Sequence, residues 1–319
     1  MIKASPRSWQ IAIVLCVGIV AASSSAIFIR LALGFVEVAD RVTLGLFLAA
    51  SRLLLATIAL LPSWQGFRQA GYSTAALRYG LIAGVCLALH FATWIPSLAF
   101  TSIAASTALV TTNPIWVVLI TWIWKGDRPQ GVQWLGILLA LTGAIVVGFG
   151  DLRTLGTVFS GSNPLLGNGL ALCGSWAVSF YLVCGQQAQQ EGLSLKHYIG
   201  LAYAIAAVTL LPFPQLFGQG YFQYGRPVYV YTLLLAIFPQ LIGHTSFNWS
   251  LRWLSPTLVT LVILAEPIGS SLFGWWVFAE IPSSTVLWGA LVLLSGVVIT
   301  AIAHPAEAPH SRNRKETSP

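Results

Sequence analysis

Long apolar runs alternate with short polar segments along almost the whole chain. A helix that crosses a bilayer needs about 20 mostly apolar residues, and periodicity and length favour helices over strands for runs of this size. The pattern predicts an all-α integral membrane protein of ten transmembrane helices, at residues 9–30, 42–62, 77–99, 102–123, 131–149, 165–186, 196–212, 228–249, 256–278 and 284–303. The polar tail 304–319 is predicted to be disordered.

An internal repeat organises these runs into two halves, 9–149 and 165–303. An offset of 153 positions, without a gap, aligns Asn113-Pro114 with Glu266-Pro267, Asp127 with Glu280, Gly136 with Gly289 and Gly143 with Gly296. Because five spans per half is an odd number, the second copy must enter the membrane from the opposite side. Inverted repeats of this kind are typical of secondary transporters, whose substrate sites lie near the bilayer midplane. The repeat therefore favours transport by alternating access.

Composition and charge support membrane residence and set an expected orientation. Only 8% of the residues are charged, whereas a soluble domain has roughly 25%. Eleven of the 16 Lys and Arg residues fall on one side of the predicted spans, four fall on the other, and Arg52 lies inside a span. The positive-inside rule places both termini in the cytoplasm of a multi-pass cell-membrane protein. The net charge of +7 is spread over loops and tails, so we expect a lipid bilayer and no nucleic acid as a partner.

Several kinds of chemistry have no motif in this chain. It contains no G-x-x-x-x-G-K-[ST] loop, no G-x-G-x-x-G after a strand, no H-E-x-x-H pair and no G-x-S-x-G elbow. The four cysteines form no C-x-x-C pair, and no histidine stands at metal-ligand spacing. We therefore expect no catalytic residue, no metal and no cofactor, and a transporter rather than an enzyme. An ion gradient, exchange or the substrate's own gradient would supply the energy.

Ionisable residues inside predicted spans are the first functional candidates, since a charge buried in a membrane is costly. Arg52 lies near the middle of the second span, and its guanidinium suits a carboxylate or phosphate. A structural anchor that bonds helix-end carbonyls or pairs with Glu266 is the alternative role. Glu266 precedes a proline in the ninth span and is the candidate for proton coupling, because a buried carboxyl can change protonation between states. Shaping a helix kink is its alternative role.

Other polar and aromatic residues within the spans are candidate substrate contacts. Small and polar residues from Ser102 to Asn113 share one face of the predicted fourth helix, and packing of small residues without a cavity is the alternative. The candidates for substrate binding are Arg52, His90, Trp94, Asn113, Tyr181, His244, Asn248 and Glu266.

Three segments carry a resemblance to a known family. They are Thr101 to Ser106 with Asn113-Pro114, the run Arg52 to Ala56, and Glu266-Pro267 followed by Glu280 and Gly289. Together they resemble two tandem copies of the EamA-type domain of the drug/metabolite transporter superfamily. The resemblance implies ten helices, both termini inside, and export of amino acids or other small metabolites. It also implies an acidic residue after the ninth span, here Glu280; its counterpart Asp127 departs from the pattern because Lys125 and Arg128 flank it.

These patterns leave more than one function open. The leading hypothesis is a secondary exporter of small amphipathic or polar metabolites, with a small-molecule substrate, protons as the candidate coupling ion, and a monomeric or homodimeric state. Uptake or exchange of phosphorylated or nucleotide-linked metabolites is the first alternative, which is favoured if Arg52 faces the cavity. A passive channel and a lipid-modifying membrane enzyme are the others.

Overall fold

A computed structural model describes residues 6–126, 128–152, 163–218 and 220–302. The described residues contain no strand, and the all-α prediction is confirmed for them. The α-helices are α1 (Ser8–Leu33), α2 (Arg41–Ala59), α3 (Thr74–Ser97), α4 (Ile103–Val110), α5 (Asn113–Lys125), α6 (Gly131–Leu152), α7 (Pro164–Gln190), α8 (Leu195–Leu210), α9 (Phe213–Phe217), α10 (Arg226–Leu235), α11 (Thr245–Ser250), α12 (Pro256–Ile263), α13 (Glu266–Phe278) and α14 (Ser284–Ile302). A π-helical segment, Ala236–His244, joins α10 to α11.

Apolar helices long enough to cross a membrane dominate the chain. Eight stretches of the described residues meet this requirement by length and composition, and four of them combine neighbouring helices, such as α4 with α5. Two shorter apolar segments, Gly131–Val147 and Ser284–Thr300, lie within α6 and α14. The chain is therefore a multi-pass membrane protein. The predicted tail 304–319 and Asp127 lie outside the described residues.

Two of the spans are broken at equivalent positions of the repeat. The fourth span stops at Val110 and restarts at Asn113, and the ninth stops at Ile263 and restarts at Glu266, so both breaks obey the 153-residue offset. The second piece of each has a proline in its first turn, where a missing N–H costs nothing. The prediction of one continuous face from Ser102 to Asn113 is therefore wrong, because the helix is interrupted before Asn113.

Helices α6 and α14 pack through glycines that the repeat makes equivalent. A Cβ atom on Gly143 would lie 2.3 Å from the backbone nitrogen of Leu293, and one on Gly296 would lie 2.4 Å from that of Ala140. Such distances exclude any side chain, so the two backbones touch. Later residues of α6 meet earlier residues of α14, and these equivalent helices therefore run antiparallel.

The first span of each half packs on the third span of the other half. A Cβ atom on Gly18 in α1 would lie 2.8 Å from Ser246 Cβ, and one on Gly174 in α7 would lie 3.2 Å from Thr93 Oγ1. Thr93 and Ser246 differ by 153 positions, whereas Gly18 and Gly174 differ by 156. The first spans of the two halves are therefore aligned by an offset of 156, three positions more than the offset of 153 that aligns the later spans.

Short connections make successive spans alternate in direction. We call the end of the bundle where α1 begins the near end, and the end where α1 finishes the far end. Arg30, the last residue of the predicted first span, lies in the last turn of α1, which ends three residues later, at Leu33. The helix continues past Arg30 because the following residues, Leu31 to Leu33, are apolar helix formers.

Candidate functional site

A cavity of about 480 Å³, including its open mouth, lies where the two broken helices meet. Its lining comes from both halves: Ala22, Ser25, His90, Trp94, Val110, Thr111, Asn113, Val178, Leu182, Pro239, His244, Phe247, Ile263 and Glu266. Four pairs of these residues are equivalent in the repeat: Ala22 with Val178, Trp94 with Phe247, Val110 with Ile263, and Asn113 with Glu266. The cavity therefore lies between the two copies rather than within one.

Asn113 and Glu266 occupy equivalent places at the helix breaks, and a serine hydroxyl lies near the backbone of each. Ser23 donates to the Glu266 carbonyl oxygen at 3.3 Å, and the Ser179 hydroxyl lies 3.3 Å from the Asn113 carbonyl oxygen, with a shorter bond of 2.7 Å to the Ser175 carbonyl oxygen of its own helix. The two serines also differ by 156 positions. A hydroxyl from the first span of the opposite half thus approaches the first residue after each break.

The side chains at these two breaks differ in chemistry. The Asn113 Oδ1 atom accepts a hydrogen bond of 3.0 Å from the Ser175 hydroxyl. Glu266 is half-buried, lines the cavity and places an ionisable carboxyl there. The repeat thus supplies a neutral amide on one side of the cavity and an acid on the other.

Aromatic rings and imidazoles form another part of the cavity lining. His90 and Trp94 stack with an interplanar angle of 9°, and the His90 ring centre lies 6.2 Å from that of His244. The His90 Nδ1 atom lies 2.9 Å from the Gly174 carbonyl oxygen. Because a carbonyl can only accept, Nδ1 carries the proton in the neutral ring and Nε2 is the acceptor. This part of the lining suits an amphipathic solute with a flat or apolar portion.

Five of the eight predicted binding residues line the cavity, and the other three lie behind it. His90, Trp94, Asn113, His244 and Glu266 are the five. Arg52 is fully buried and reaches the lining only through Ser25, to which its Nη1 atom donates at 3.2 Å. Tyr181 and Asn248 are both buried, and the Asn248 amide donates to the Tyr181 hydroxyl. No salt bridge within 4.0 Å joins Arg52 to Glu266, although each lies within electrostatic range of the other.

Sequence reasoning did not identify two polar residues of this region, Ser25 and Gln240. Ser25 lines the cavity and receives the Arg52 hydrogen bond. Gln240 follows Pro239 in the π-helical segment and is fully buried. The sequence does contain a signal for Gln240, an amide next to a proline inside an apolar run.

A charged cluster connects both halves at the far end. The Arg30 guanidinium donates to the Thr101 carbonyl oxygen at 2.9 Å and lies 3.8 Å from the Glu280 carboxylate. The other oxygen of Glu280 accepts the backbone N–H of Ile103 at 2.9 Å, at the first turn of α4. Glu280, predicted only as a family feature, thus links the end of the ninth span to the first half.

Comparison with known proteins identifies the family of this chain. The model of the EamA-like transporter family matches residues 9–149 and 165–302, one copy in each half. The chain belongs to the EamA-like transporter family. This result confirms the predicted resemblance, the two related halves and, at the level of the family, transport.

Named relatives of this EamA-like chain are also transporters. It is 25% identical over 242 residues to the pseudopaline exporter CntI of Pseudomonas aeruginosa, covering 73% of this chain and 79% of that protein. It is 22% identical over 266 residues to the uncharacterized transporter YwfM of Bacillus subtilis, covering 82% and 87% of the two chains. A solved crystal structure aligns at a TM-score of 0.60 and 18% identity over 93% of this chain and 98% of the other, a likeness of fold alone.

Proposed function

We propose that this EamA-like protein exports small amphipathic or polar metabolites across the cell membrane by alternating access. It would do so with ten spans arranged as two inverted repeats and with both termini in the cytoplasm. The observation that carries the proposal is the cavity between the two helix breaks, lined by equivalent residues of both halves. A site on the axis of an inverted repeat can be exposed to either side when one half rocks against the other.

The direction and the substrate class rest on two further observations. One relative is named an exporter, which favours export over uptake. The cavity combines an aromatic wall with Asn113 and Glu266, which favours an amphipathic solute that also forms hydrogen bonds. Uptake or exchange of phosphorylated metabolites would be favoured if Arg52 faced the cavity, but Arg52 lies outside the lining, behind Ser25, so this alternative gains no support.

Glu266 is our candidate for coupling to protons. It places an ionisable carboxyl in the cavity, where a proton or a cationic substrate group can neutralise it in turn. Its equivalent in the first half is an amide, so only one copy of the repeat contributes a titratable group at this position.

Efflux from liposomes tests the proposal. Vesicles containing the purified protein would be loaded with radiolabelled amino acids, or with sugar phosphates in a parallel set, and efflux would be followed with and without a pH gradient. We expect saturable efflux of amphipathic amino acids, counterflow driven by substrate on the opposite side, and loss of the pH effect in Glu266→Gln. A Glu191→Gln variant, which changes an exposed carboxylate at the end of α7, is the control. Efflux without counterflow would contradict alternating access, since an open pore gives no counterflow.

A further inference from the structure

Arg52 lies behind the cavity lining, and most of its N–H groups have no hydrogen-bond acceptor among the described residues. The side chain has 0% exposure, and its only hydrogen bond among the described residues is the one to Ser25. Its Nε and Nη2 atoms are buried and find no acceptor in the described part of the chain. A guanidinium buried in a membrane without a paired anion is costly, so the unpaired side of Arg52 requires a partner.

The guanidinium is oriented so that its unpaired N–H groups remain available. Its central carbon lies 4.3 Å from the centre of the Phe91 ring, which it faces. Stacking on an aromatic face leaves the edge of the planar group free, and that edge carries the N–H donors that match a carboxylate. The role of a structural anchor on backbone carbonyls is not supported, because Arg52 bonds to no carbonyl of the described residues.

Gln240 brings further unused polar atoms to the same region. It also has 0% exposure, and neither its Nε2 nor its Oε1 atom has a partner in the described chain. Tyr203 connects Gln240 to Arg52: the Tyr203 hydroxyl donates to the Gln240 backbone carbonyl oxygen at 3.3 Å, and the Arg52 guanidinium lies within electrostatic range of that hydroxyl. The π-helical segment carries Gln240, and such irregular turns are frequent at functional sites.

We propose that Arg52 and Gln240 form an anion-binding subsite that adjoins the cavity through Ser25. Its ligand is a small anion, either the carboxylate of a transported solute or a free inorganic anion. The unpaired guanidinium edge and the Gln240 amide N–H supply the donors, and the buried setting strengthens each bond to a charged acceptor. This subsite rests on the proposed transport function and extends it, because that function involves only residues of the cavity lining. Anion binding by the subsite can be measured without a transport assay.

Thermal unfolding of the full-length protein in detergent tests binding directly. Sodium acetate or sodium chloride would be titrated at constant ionic strength against a bulky sulfonate salt, which is too large for the buried site. We expect a saturable rise in Tm of about 2–4 °C, because a ligand that binds only the folded state stabilises it. The rise should be absent in Arg52→Gln and in Gln240→Leu.

A second variant keeps the test decisive if those proteins fold poorly. Gln240→Glu would supply a built-in anion beside Arg52, so we expect a higher Tm without added salt and no further response to acetate or chloride. The matched control is Gln187→Glu, which places the same charge on a half-buried residue of α7 outside the subsite; it should retain the anion response. Absence of a saturable response in the wild type, or an unchanged response in Gln240→Glu, would overturn the proposal.

Transport of paired solutes identifies the source of the anion. Efflux of a carboxylated amino acid would be compared with that of its carboxamide, with chloride present or replaced by the bulky sulfonate. A carboxylate preference of at least about tenfold that is lost in Arg52→Gln assigns the subsite to the substrate, the factor being about that of one charge-assisted bond. Equal efflux of both solutes that depends on chloride assigns it to a free anion. If neither solute is transported, the proposed substrate class fails while the unfolding experiment still decides on the subsite.

Discussion

At the far end, Glu280 of the second half bonds to the Ile103 N–H and lies beside Arg30, both of the first half. The repeat places Pro256 and Gln186 at the positions equivalent to Ile103 and Arg30 in the near end. Proline has no N–H to donate, and the glutamine carries no charge. Gln186 does donate to the Leu254 carbonyl oxygen at 3.3 Å, which repeats the bond from Arg30 to the Thr101 carbonyl oxygen.

Among the residues that the structure describes, which do not include residue 127 at the near end, the two ends share one neutral contact and the far end adds a buried charge pair between the halves. Glu280 is 5% exposed and Arg30 is 19% exposed, so water screens this pair only partly. In the proposed mechanism, opening the far end must separate Glu280 from α4, whereas no equivalent hydrogen bond to residue 256 can oppose opening of the near end. We therefore expect a resting state closed at the far end, and the first three substitutions below test this difference.

Removing the carboxylate should have the largest effect. Glu280→Ala removes the hydrogen bond to the Ile103 N–H and the charge pair with Arg30, which costs about 2–3 kcal/mol and favours opening of the far end about 30- to 160-fold. The measurement is the rate at which an impermeant maleimide applied at the far end modifies Thr111→Cys, in a background without the four native cysteines. The control Glu191→Ala, at an exposed carboxylate, should leave the rate unchanged. An equal rate in Glu280→Ala would contradict the assignment.

Replacing Ile103 by proline, the residue at the equivalent position 256 of the near end, should have the next largest effect. Ile103→Pro removes the N–H that Glu280 accepts, a charge-assisted bond worth about 1.5–2 kcal/mol, and labelling from the far end should rise about 10- to 30-fold. The helix should tolerate the change, because Ser102 already has the extended backbone that precedes Pro256 in the other half. Ile103→Ala, which loses side-chain packing but keeps the N–H, is the control. If both variants are labelled equally fast, packing and not the hydrogen bond closes the far end.

Replacing Arg30 by glutamine, the residue at the equivalent position 186 of the near end, should have a smaller effect. Arg30→Gln removes the charge pair but can keep the bond to the Thr101 carbonyl oxygen, as Gln186 does with Leu254. Because the pair is partly exposed, we expect a loss of about 1 kcal/mol and labelling about fivefold faster. The same assay in 1 M salt should reduce the difference between Arg30→Gln and the wild type. A difference that salt does not alter would argue against an electrostatic origin.

The apolar helices, the repeat and five of the fourteen cavity-lining residues could be predicted because they depend on local patterns. Apolar runs and a fixed offset are visible in the sequence, and the offset brings Asn113 opposite Glu266 whatever the remaining packing. The helix breaks were only partly predictable: Pro267 indicated a kink, but the contact of Glu266 with the Ser23 hydroxyl comes from a distant part of the chain, which no local pattern indicates.

The residues behind the lining and the far-end cluster could not be predicted, for a related reason. Arg52 and Asn248 stand at intramembrane positions like those of His90 and His244, and only the rotation of each helix decides which side chains reach the cavity. Glu280 finds its partners in Ile103 and Arg30, which are remote in sequence, so no local spacing indicates them.

The smallest effect should come from the backbone that carries Glu280. Ala279 ends α13 with a φ of 52°, and its equivalent Gly126 ends α5 with a φ of 80°. This left-handed conformation costs alanine about 1–2 kcal/mol and glycine almost nothing. Ala279→Gly relieves that strain but gains freedom in the unfolded chain, so we expect a net stabilisation of about 0.5 kcal/mol.

Thermal unfolding in detergent measures this change, and the equivalent position supplies its control. Gly126→Ala should lower the free energy of unfolding by about 1 kcal/mol, since it imposes on the first half the strain that the second half already bears. If Ala279→Gly stabilises the protein and Gly126→Ala destabilises it, the same left-handed turn ends both helices, and its free-energy cost is borne only by the alanine of the second half. A loss of stability in Ala279→Gly would instead indicate that the alanine methyl group contributes packing that outweighs its strained backbone.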